Sequence, residues 1–405
     1  LESTPEGQQP TQREVDVCIV GGGPAGMLLG VLLAREGVRT LVMEQHHDFS
    51  REYRGEVLMP RFSRLYQQLG LLDFVKEHPH TLLNRMELWD GHRRIYNLTF
   101  DTIAPEFPYA LWMPQPILLN ALLEKAQTFE NFEMCFNASA QQLLMEGSRV
   151  VGVSGVHHGE PLLVKAKVTV GTDGRGSRIA TLASTPALYD ESRFDILWFS
   201  LPRPDRDFED TFRMYLPSPG NLALVAPKHP DLIQCGVTIP PGGFSTLRDQ
   251  GIEAVRALLR QGPEIIQEFA DSLTDFKPFH PLKAKVSMLQ EWARDGLLLV
   301  GDSAHTCSPV GGVGVSIASE TAAIAAEVLV PALQSGDTSA QRLAAVQRIR
   351  ERPVREIHRL QSTMARVLLS PSHLTRWLLE GGLETAGKLK LPPIVPRKLL
   401  FGPIR

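Results

Sequence analysis

The sequence predicts an α/β chain, with a parallel sheet opening near the N-terminus and an antiparallel sheet inserted later. Three observations carry that expectation. The β-branched apolar run Val15–Val20 ends in the glycine cluster Gly21-Gly22-Gly23-Pro24-Ala25-Gly26; a second buried-strand run, Leu297-Leu298-Leu299-Val300, delivers the chain to Gly301-Asp302. From about Ser192 to Pro240, strand-like segments are punctuated by Pro202, Pro217-Ser218-Pro219-Gly220 and Pro240-Pro241-Gly242.

Taken in order, residues Leu1 to Glu14 are polar and read as a flexible tail without the apolar core of a signal peptide. Val15–Val20 reads as a buried parallel strand. Pro24 to Glu36 carries apolar residues round much of its circumference and stops at Gly37, as a helix packed under a sheet does. Arg39 to Glu44 is the next strand. A polar stretch, Arg51 to Leu58, precedes a helix from about Phe62 to Leu69, and Ile117 to Thr128 reads as another. Leu162 to Val170 alternates apolar and charged residues until Gly171 and Asp173 break it. After Leu297–Val300 a long helix is expected from about Ser316 to Leu333. Beyond Ala340 the chain is helical and basic, and Pro392 to Arg405 is a proline-punctuated tail.

With 405 residues the chain exceeds one ordinary core, so two or more domains are expected. Its 42 Lys and Arg nearly balance 45 Asp and Glu, so no global field draws it to nucleic acid or an anionic membrane. Small-molecule chemistry is the better expectation. Cys18, Cys135, Cys235 and Cys307 are scattered without metal-ligand spacing, which argues against a metal site and fits a reducing, cytoplasmic setting. No transmembrane run of about 18 apolar residues is expected.

The glycine cluster satisfies G-x-G-x-x-G between a strand and a helix, the Rossmann-like dinucleotide turn. Gly21 permits the tight turn, Gly23 lets backbone approach a pyrophosphate, and Gly26 permits close helix–strand packing, with Ala25 in the same turn. The helix N-terminus then stabilises phosphate charge through unpaired N–H groups. Glu44 ends the second strand, where a carboxylate accepts both ribose hydroxyls and repels a 2′-phosphate. The turn therefore suits FAD or NAD better than NADP.

Two later segments separate those cofactors: Gly171-Thr172-Asp173-Gly174-Arg175-Gly176-Ser177-Arg178, and Gly301-Asp302-Ser303-Ala304-His305 continuing through Pro309 and Gly311-Gly312-Val313-Gly314. With the first turn they resemble the three fingerprints of the class A flavoprotein monooxygenases, the family typified by para-hydroxybenzoate hydroxylase. The Asp195–Pro202 segment resembles the first substrate-domain strand of ubiquinone-pathway members. The resemblance spans about Val15 to Leu333. It implies an extended FAD held at Asp173 and Asp302, with Pro309, Gly312, Gly314 and Val315 beside the isoalloxazine. Arg54-Gly55-Glu56-Val57-Leu58 resembles the family's arginine loop, and Gln115 matches a glutamine that contacts FAD. Two departures stand out. Ser316 and Thr321 replace a common Asn and Asp, with Ser316 expected to cap the long helix. Ala180 stands where the second motif usually carries an arginine, which bears on nicotinamide use.

The resemblance also implies a division into a discontinuous FAD domain (residues 15–80, 110–190 and 282–340), a substrate domain (81–109 and 191–281) and C-terminal helices and tail (341–405). It implies that NADPH or NADH reduces the flavin and that a flavin C4a-hydroperoxide delivers oxygen to an aromatic or phenolic substrate. Molecular oxygen is then a co-substrate. An oxidase or dehydrogenase of the same fold, or an FAD-binding protein with weakened turnover, remains open; no W-x-W-x-I-P segment marks a halogenase. Residues Arg54, His305 and Pro309 are candidates at the reacting centre, although His305 reads equally as a structural hydrogen-bonder. Trp198, Arg213 and Tyr215 are candidate substrate contacts, against core packing for the tryptophan and solvent exposure for the arginine. Arg397, Lys398 and Arg405 among Leu399, Leu400 and Phe401 could touch a membrane or fold back on the protein.

Overall fold

The computed structural model describes residues 10–50, 57–204, 210–389 and 394–402. Arg54 and Arg405 lie outside these residues. At the N-terminus the first strand is Thr11–Val20. It starts four residues before Val15, because Thr11 to Glu14 pair in parallel with Leu162 to Lys165, so the expected tail is ordered that far. Exposed side chains on those four residues hid the strand from an apolar-run reading.

Parallel pairing sets the first sheet. Thr11–Val20 lies between Glu160–Gly171 and Thr40–Met43, with Leu297–Leu299 beyond the former and Phe132–Cys135 beyond the latter. Ala138–Glu146 and Arg149–His157 add an antiparallel flap to Glu160–Gly171. The helix Pro24–Arg35 buries ten consecutive residues from Ala25 to Ala34, which explains why its apolar residues run round most of the circumference. It packs between the sheet, the helix Gln115–Gln127 and the long helix Gly314–Ser335. By length and composition the segment Val310–Ser335 could cross a membrane, which the sequence reading did not expect. Within the protein, 78% of its most apolar window is buried, so it serves here as a core helix.

The second sheet runs His305–Thr306, His280–Leu289, Ala187–Pro202, Leu232–Ile239, Ala223–Lys228, Thr211–Tyr215, Arg85–Asp90, Arg93–Thr99. Pairing is antiparallel except between Thr211–Tyr215 and Arg85–Asp90, which run parallel. One face carries the helices Gly243–Gln250, Ile252–Leu259 and Glu264–Ser272 over a core of Leu197, Phe199, Val225 and Cys235. The other face meets the first sheet and the C-terminal helices. Alternation along each strand thus sorts residues to two different environments.

Candidate active site

Four parallel strands end side by side, and each hands the chain to one expected motif. Thr11–Val20 leads to Gly21, Thr40–Met43 to Glu44, Glu160–Gly171 to Asp173, and Leu297–Leu299 to Asp302. The first strand has parallel neighbours on both sides, and the crevice beyond the carboxyl ends at such a point is where open α/β sheets bind ligands.

Backbone hydrogen bonds fix the crevice. Gly21 N donates to Met43 O at 2.8 Å, Thr172 N to Val20 O at 2.8 Å, and Val300 N to Gly171 O at 2.9 Å. Gly21 has φ 111°, and a Cβ there would meet Thr172 O at 2.6 Å. At Gly23 an added Cβ would meet nothing within 4 Å, and the same holds at Gly314. Each of these two open faces lies at the N-terminus of a helix, Pro24–Arg35 and Gly314–Ser335. Unpaired N–H groups at both ends suit anionic or electron-rich groups.

Backbone N–H groups hold the Glu44 carboxylate. Gly22 N donates to its Oε2 at 2.9 Å and His46 N to its Oε1 at 3.1 Å, which aims the carboxylate across the glycine turn. Asp173 ties two motifs together: its Oδ1 accepts from Ser177 Oγ and, at 3.0 Å, from Ser303 Oγ, while its Oδ2 accepts from Ile179 N at 3.0 Å. Gly301 lies with Ala25 and Ala318 close enough that a Cβ would meet theirs at 3.1 and 3.3 Å. The first turn, the Gly-Asp loop and the long helix therefore converge.

Gln115 opens the helix Gln115–Gln127, and its buried Oε1 has no hydrogen-bond partner among the described residues. An orphaned buried acceptor at the start of a helix that packs against Pro24–Arg35 fits a dinucleotide that brings its own donors. Ser316 behaves differently from the expected cap. The helix starts two residues earlier, at Gly314, with Val313 preceding it, so Ser316 Oγ is buried inside the first turn without a partner among the described residues.

Arg175, a member of the second motif that no local pattern singles out, bridges the site. Its Nε donates to Asp302 Oδ2 at 3.1 Å and its Nη1 to Lys283 O at 3.0 Å. Burial raises the Asp302 carboxyl above its ordinary value of 3.8, and the Arg175 guanidinium opposes that rise. Because the folded value is raised, the stability tied to this group is complete below the unfolded value and is lost as pH climbs through the folded one. Asp302→Asn is therefore expected to raise the melting temperature of the apoprotein at pH 7, with the gain shrinking toward pH 4, while weakening FAD retention. Paired melting curves across that range check it; a less stable apo variant at pH 7 contradicts the assignment.

The loop after Asp302 is clamped by a residue that the sequence reading missed. Gln361, buried on the helix Ala345–Leu368, donates from Nε2 to Ser308 O (2.8 Å) and Val310 O (2.9 Å) and accepts from Ser308 N at 3.2 Å. Pro309 sits between those anchors. The amphipathic period of a 24-residue helix puts Gln361 on the inner face, but no local motif marks it. Gly312 is closed by Val57 and Met59, whose side chains an added Cβ would meet at 2.5 and 3.3 Å. Val315, in the first turn of the long helix, is half-buried.

His305 is buried, its Nε2 hydrogen-bonded to Thr321 Oγ1 at 2.9 Å and its ring beside Trp292 at 4.9 Å. Thr321 Oγ1 donates to Ile317 O at 3.0 Å, so the histidine is the donor in its own bond and Nδ1 carries the lone pair. Desolvation holds this imidazole well below its ordinary value, hence neutral. The geometry matches the structural-hydrogen-bonder reading.

The three substrate candidates separate. Trp198 stands opposite Gly236, and an added Cβ on Gly236 would touch its indole at 2.7 Å. Across the sheet the same row continues through Leu224 and Met214. One apolar cluster joins Trp198 and Leu224 to Val57, Met59, Trp112 and Leu399 around the glycine loop. Arg213 and Tyr215 flank Met214, so they point to the opposite face. There Arg213 lies 3.4 Å from the buried Glu87 carboxylate and Tyr215 packs toward the three helices. Period-two alternation thus removes both from the face that Trp198 occupies.

The C-terminal segment folds back on the protein. Ile394–Leu400 buries Leu399 and Leu400, with Leu399 where a Cβ on Gly311 would come within 2.6 Å. Arg64 Nη1 donates to Gly402 O at 2.7 Å, and Lys398 pairs with Glu356 at 3.4 Å. At Leu399 and Leu400 the described residues follow the fold-back reading.

The fold and the crevice together define an FAD-dependent oxidoreductase. Residues 14–360 match the family described as FAD binding domain, and the chain belongs to it, among the class A flavoprotein monooxygenases. It is 33% identical over 368 residues to the 6-methylpretetramide 4-monooxygenase of Streptomyces rimosus, covering 89% of this chain and 86% of the relative. A digeranylgeranylglycerophospholipid reductase of Methanocella arvoryzae is 24% identical over 82% of this chain and 81% of its own length. The crystal structure of the p-nitrophenol 4-monooxygenase PnpA of Pseudomonas putida shares the fold, with a TM-score of 0.79 and 21% identity over 96% of this chain and 97% of that one.

Proposed function

We propose that this enzyme hydroxylates an aromatic or phenolic small molecule, consuming NADPH or NADH and molecular oxygen. Similarity to a monooxygenase along nearly the whole chain, at 33% identity against 24% for the reductase relative, is the observation that carries this choice. When bound, FAD supplies hydride acceptance from the nicotinamide and activation of dioxygen.

The chain's own residues do the rest. In this reading Gly21, Gly23, Ala25 and Gly26 receive the pyrophosphate, Glu44 the adenosine ribose, and Asp302 the ribityl chain. Asp173 braces the loop that carries Asp302. Gln115 Oε1 accepts from the cofactor, and the N-terminus at Gly314 and Val315, with Pro309 and Gly312 in the preceding loop, borders the isoalloxazine. Arg54 is assigned to the flavin by the sequence resemblance alone. Residues 15–80, 110–190 and 282–340 make the FAD half, and 81–109 and 191–281 the substrate half. Trp198 and its apolar neighbours form a dry wall that excludes water from the reacting face.

Anaerobic mixing with NADPH or NADH is expected to bleach the visible band of oxidised flavin, and a phenolic ligand should accelerate it. Under labelled dioxygen, mass spectrometry should then find one labelled oxygen in the product. Persistent yellow colour with both nicotinamides defeats this reading. Product without label favours the second one, flavin-driven reduction or oxidation without oxygen insertion, which the reductase relative supports.

A further inference from the structure

The helix His373–Lys388 leaves an apolar stripe uncovered. Its inner side is committed to the protein. Leu379 and Leu383 pack on Leu88, Ile95 and Leu216, Arg376 donates to Asp90 and to Leu216 O, and Glu380 and Glu384 both receive Arg93. On the outer side Leu374, Trp377 and Leu378 are 64%, 68% and 58% exposed, and Leu389, just past the helix end, is 64% exposed. These are the four largest exposures of any large apolar side chain among the described residues.

Helical spacing gathers them. At 3.6 residues per turn, positions 374, 377, 378, 381, 385 and 389 fall within one arc of about 120°. From Leu374 to Thr385 that arc holds no charged residue, since Arg376, Glu380 and Glu384 turn the other way. In its middle stands Gly381, where an added Cβ would meet nothing within 4 Å, and Gly382 beside it is equally open. Tryptophan and leucine without charge, bordered by ion pairs, is the composition of the dry centre of a protein interface with its polar rim.

Charge and relief say what covers the stripe. Helices that lie on membranes carry an excess of Lys and Arg on their polar side. Here Glu380 and Glu384 balance Arg376 and Lys388, so the helix has no net attraction for an anionic surface. A second copy of the same helix does fit, because the stripe holds its own complement: Trp377 is a knob, and Gly381, about one turn on, is a hollow. An antiparallel copy, related by a twofold axis at the level of Leu379, sets Trp377 of each over Gly381 of the other and Leu378 close to its own counterpart. The same operation brings the exposed His373 within one residue's rise of Glu384 in the second copy, a donor against an acceptor at the rim. The 16-residue helix offers a face of about 24 Å by 10 Å, roughly a third of the ~800 Å² per partner of a stable interface. It therefore supplies the centre of a reversible contact whose rim is the flanking Arg93 hairpin.

We propose that Leu374, Trp377, Leu378 and Gly381 form a self-association surface through which two copies of this protein pair, helix His373–Lys388 against its antiparallel twin. Trp377 is the anchor of the contact, as buried tryptophans at the centre of an interface commonly are. The surface uses no residue of the crevice, so it stands apart from the flavin chemistry.

The test is sedimentation of the full-length FAD-bound protein across the micromolar range, where the wild type is expected to pass from monomer to dimer. Trp377→Ala should raise the dimer dissociation constant at least about thirtyfold, the loss typical of an anchor residue. Trp377→Glu should be monomeric throughout. Gly381→Leu is the discriminating variant: it favours the helix and adds apolar surface, yet it fills the hollow, so it too should be monomeric. All three positions are exposed, so flavin content and melting temperature should match the wild type. A wild type that stays monomeric, a dimer that survives Trp377→Glu, or association that grows with Gly381→Leu overturns the proposal. So does a wild type that floats with vesicles of phosphatidylcholine and phosphatidylglycerol while remaining monomeric without them, because the stripe then meets lipid. Loss of the folded protein in all three variants also overturns it, because the stripe is then covered within its own chain.

Discussion

Gly26→Ala is expected to give a destabilised protein that purifies without flavin. The new methyl would stand 2.0 Å from Gly21 O and 2.6 Å from Thr172 Oγ1, and these two atoms are hydrogen-bonded to each other at 2.7 Å. Neither is the free end of a flexible side chain, so relief requires moving the helix off the strand. Overpacking of this kind costs about 1–3 kcal/mol, and backbone on the other side places this case near the top of that range. Gly23→Ala supplies the contrast. Its methyl meets nothing within 4 Å, and the φ of −74° suits any residue, so the apoprotein should melt with the wild type. FAD affinity should nonetheless fall, because the methyl occupies the space assigned to the pyrophosphate. Flavin titration with thermal denaturation of both variants checks the pair; full occupancy in Gly23→Ala removes the pyrophosphate from that position.

Asp173→Ala is expected to have the other large effect. The carboxylate accepts from Ser177, Ile179 and Ser303, and the Ser303 hydroxyl also receives Gly174 N at 3.0 Å. Hydrogen bonds to a charged acceptor contribute about 1.5–3 kcal/mol each, with partial compensation by water in the variant, so a net loss of about 3 kcal/mol is expected. Function should suffer beyond stability, since Ser303 adjoins Asp302 and holds the Gly-Asp loop against the Asp-Gly turn. Melting temperature and FAD content after gel filtration read the two effects separately. A variant that melts normally and stays yellow would show that the loop is placed by something else.

The crevice was legible because it is built from local signals that backbone chemistry makes obligatory. Gly21 needs φ 111°, Gly26 cannot carry a methyl, and the carboxylates Glu44, Asp173 and Asp302 each stand at or just after a run that reads as a strand. Sequence reading failed where position depends on partners remote in the chain. Thr11 to Glu14 look like tail until the pairing with Leu162 to Lys165 is seen. Arg213 looked available for substrate because its strand face is fixed by neighbours at Glu87 and Val225 that no local pattern discloses. Gln361 was invisible for the same reason: a single polar residue on a helix acquires meaning only from the loop against which it is buried.

One consequence of the strand order concerns the making of the protein. The first strand, Thr11–Val20, needs Glu160–Gly171 on one side, and its glycine turn is completed only when Gly301 and Ala318 arrive. Ribosomes emit about 5–20 residues per second, so the earliest segment waits roughly 15–60 s for its last neighbours. Throughout that interval an apolar strand and a helix with ten buried positions lack part of their covering layers. Nascent chains of this protein should therefore depend on chaperone shelter, and N-terminal fragments ending before about residue 300 should aggregate in place of folding into a free-standing nucleotide module.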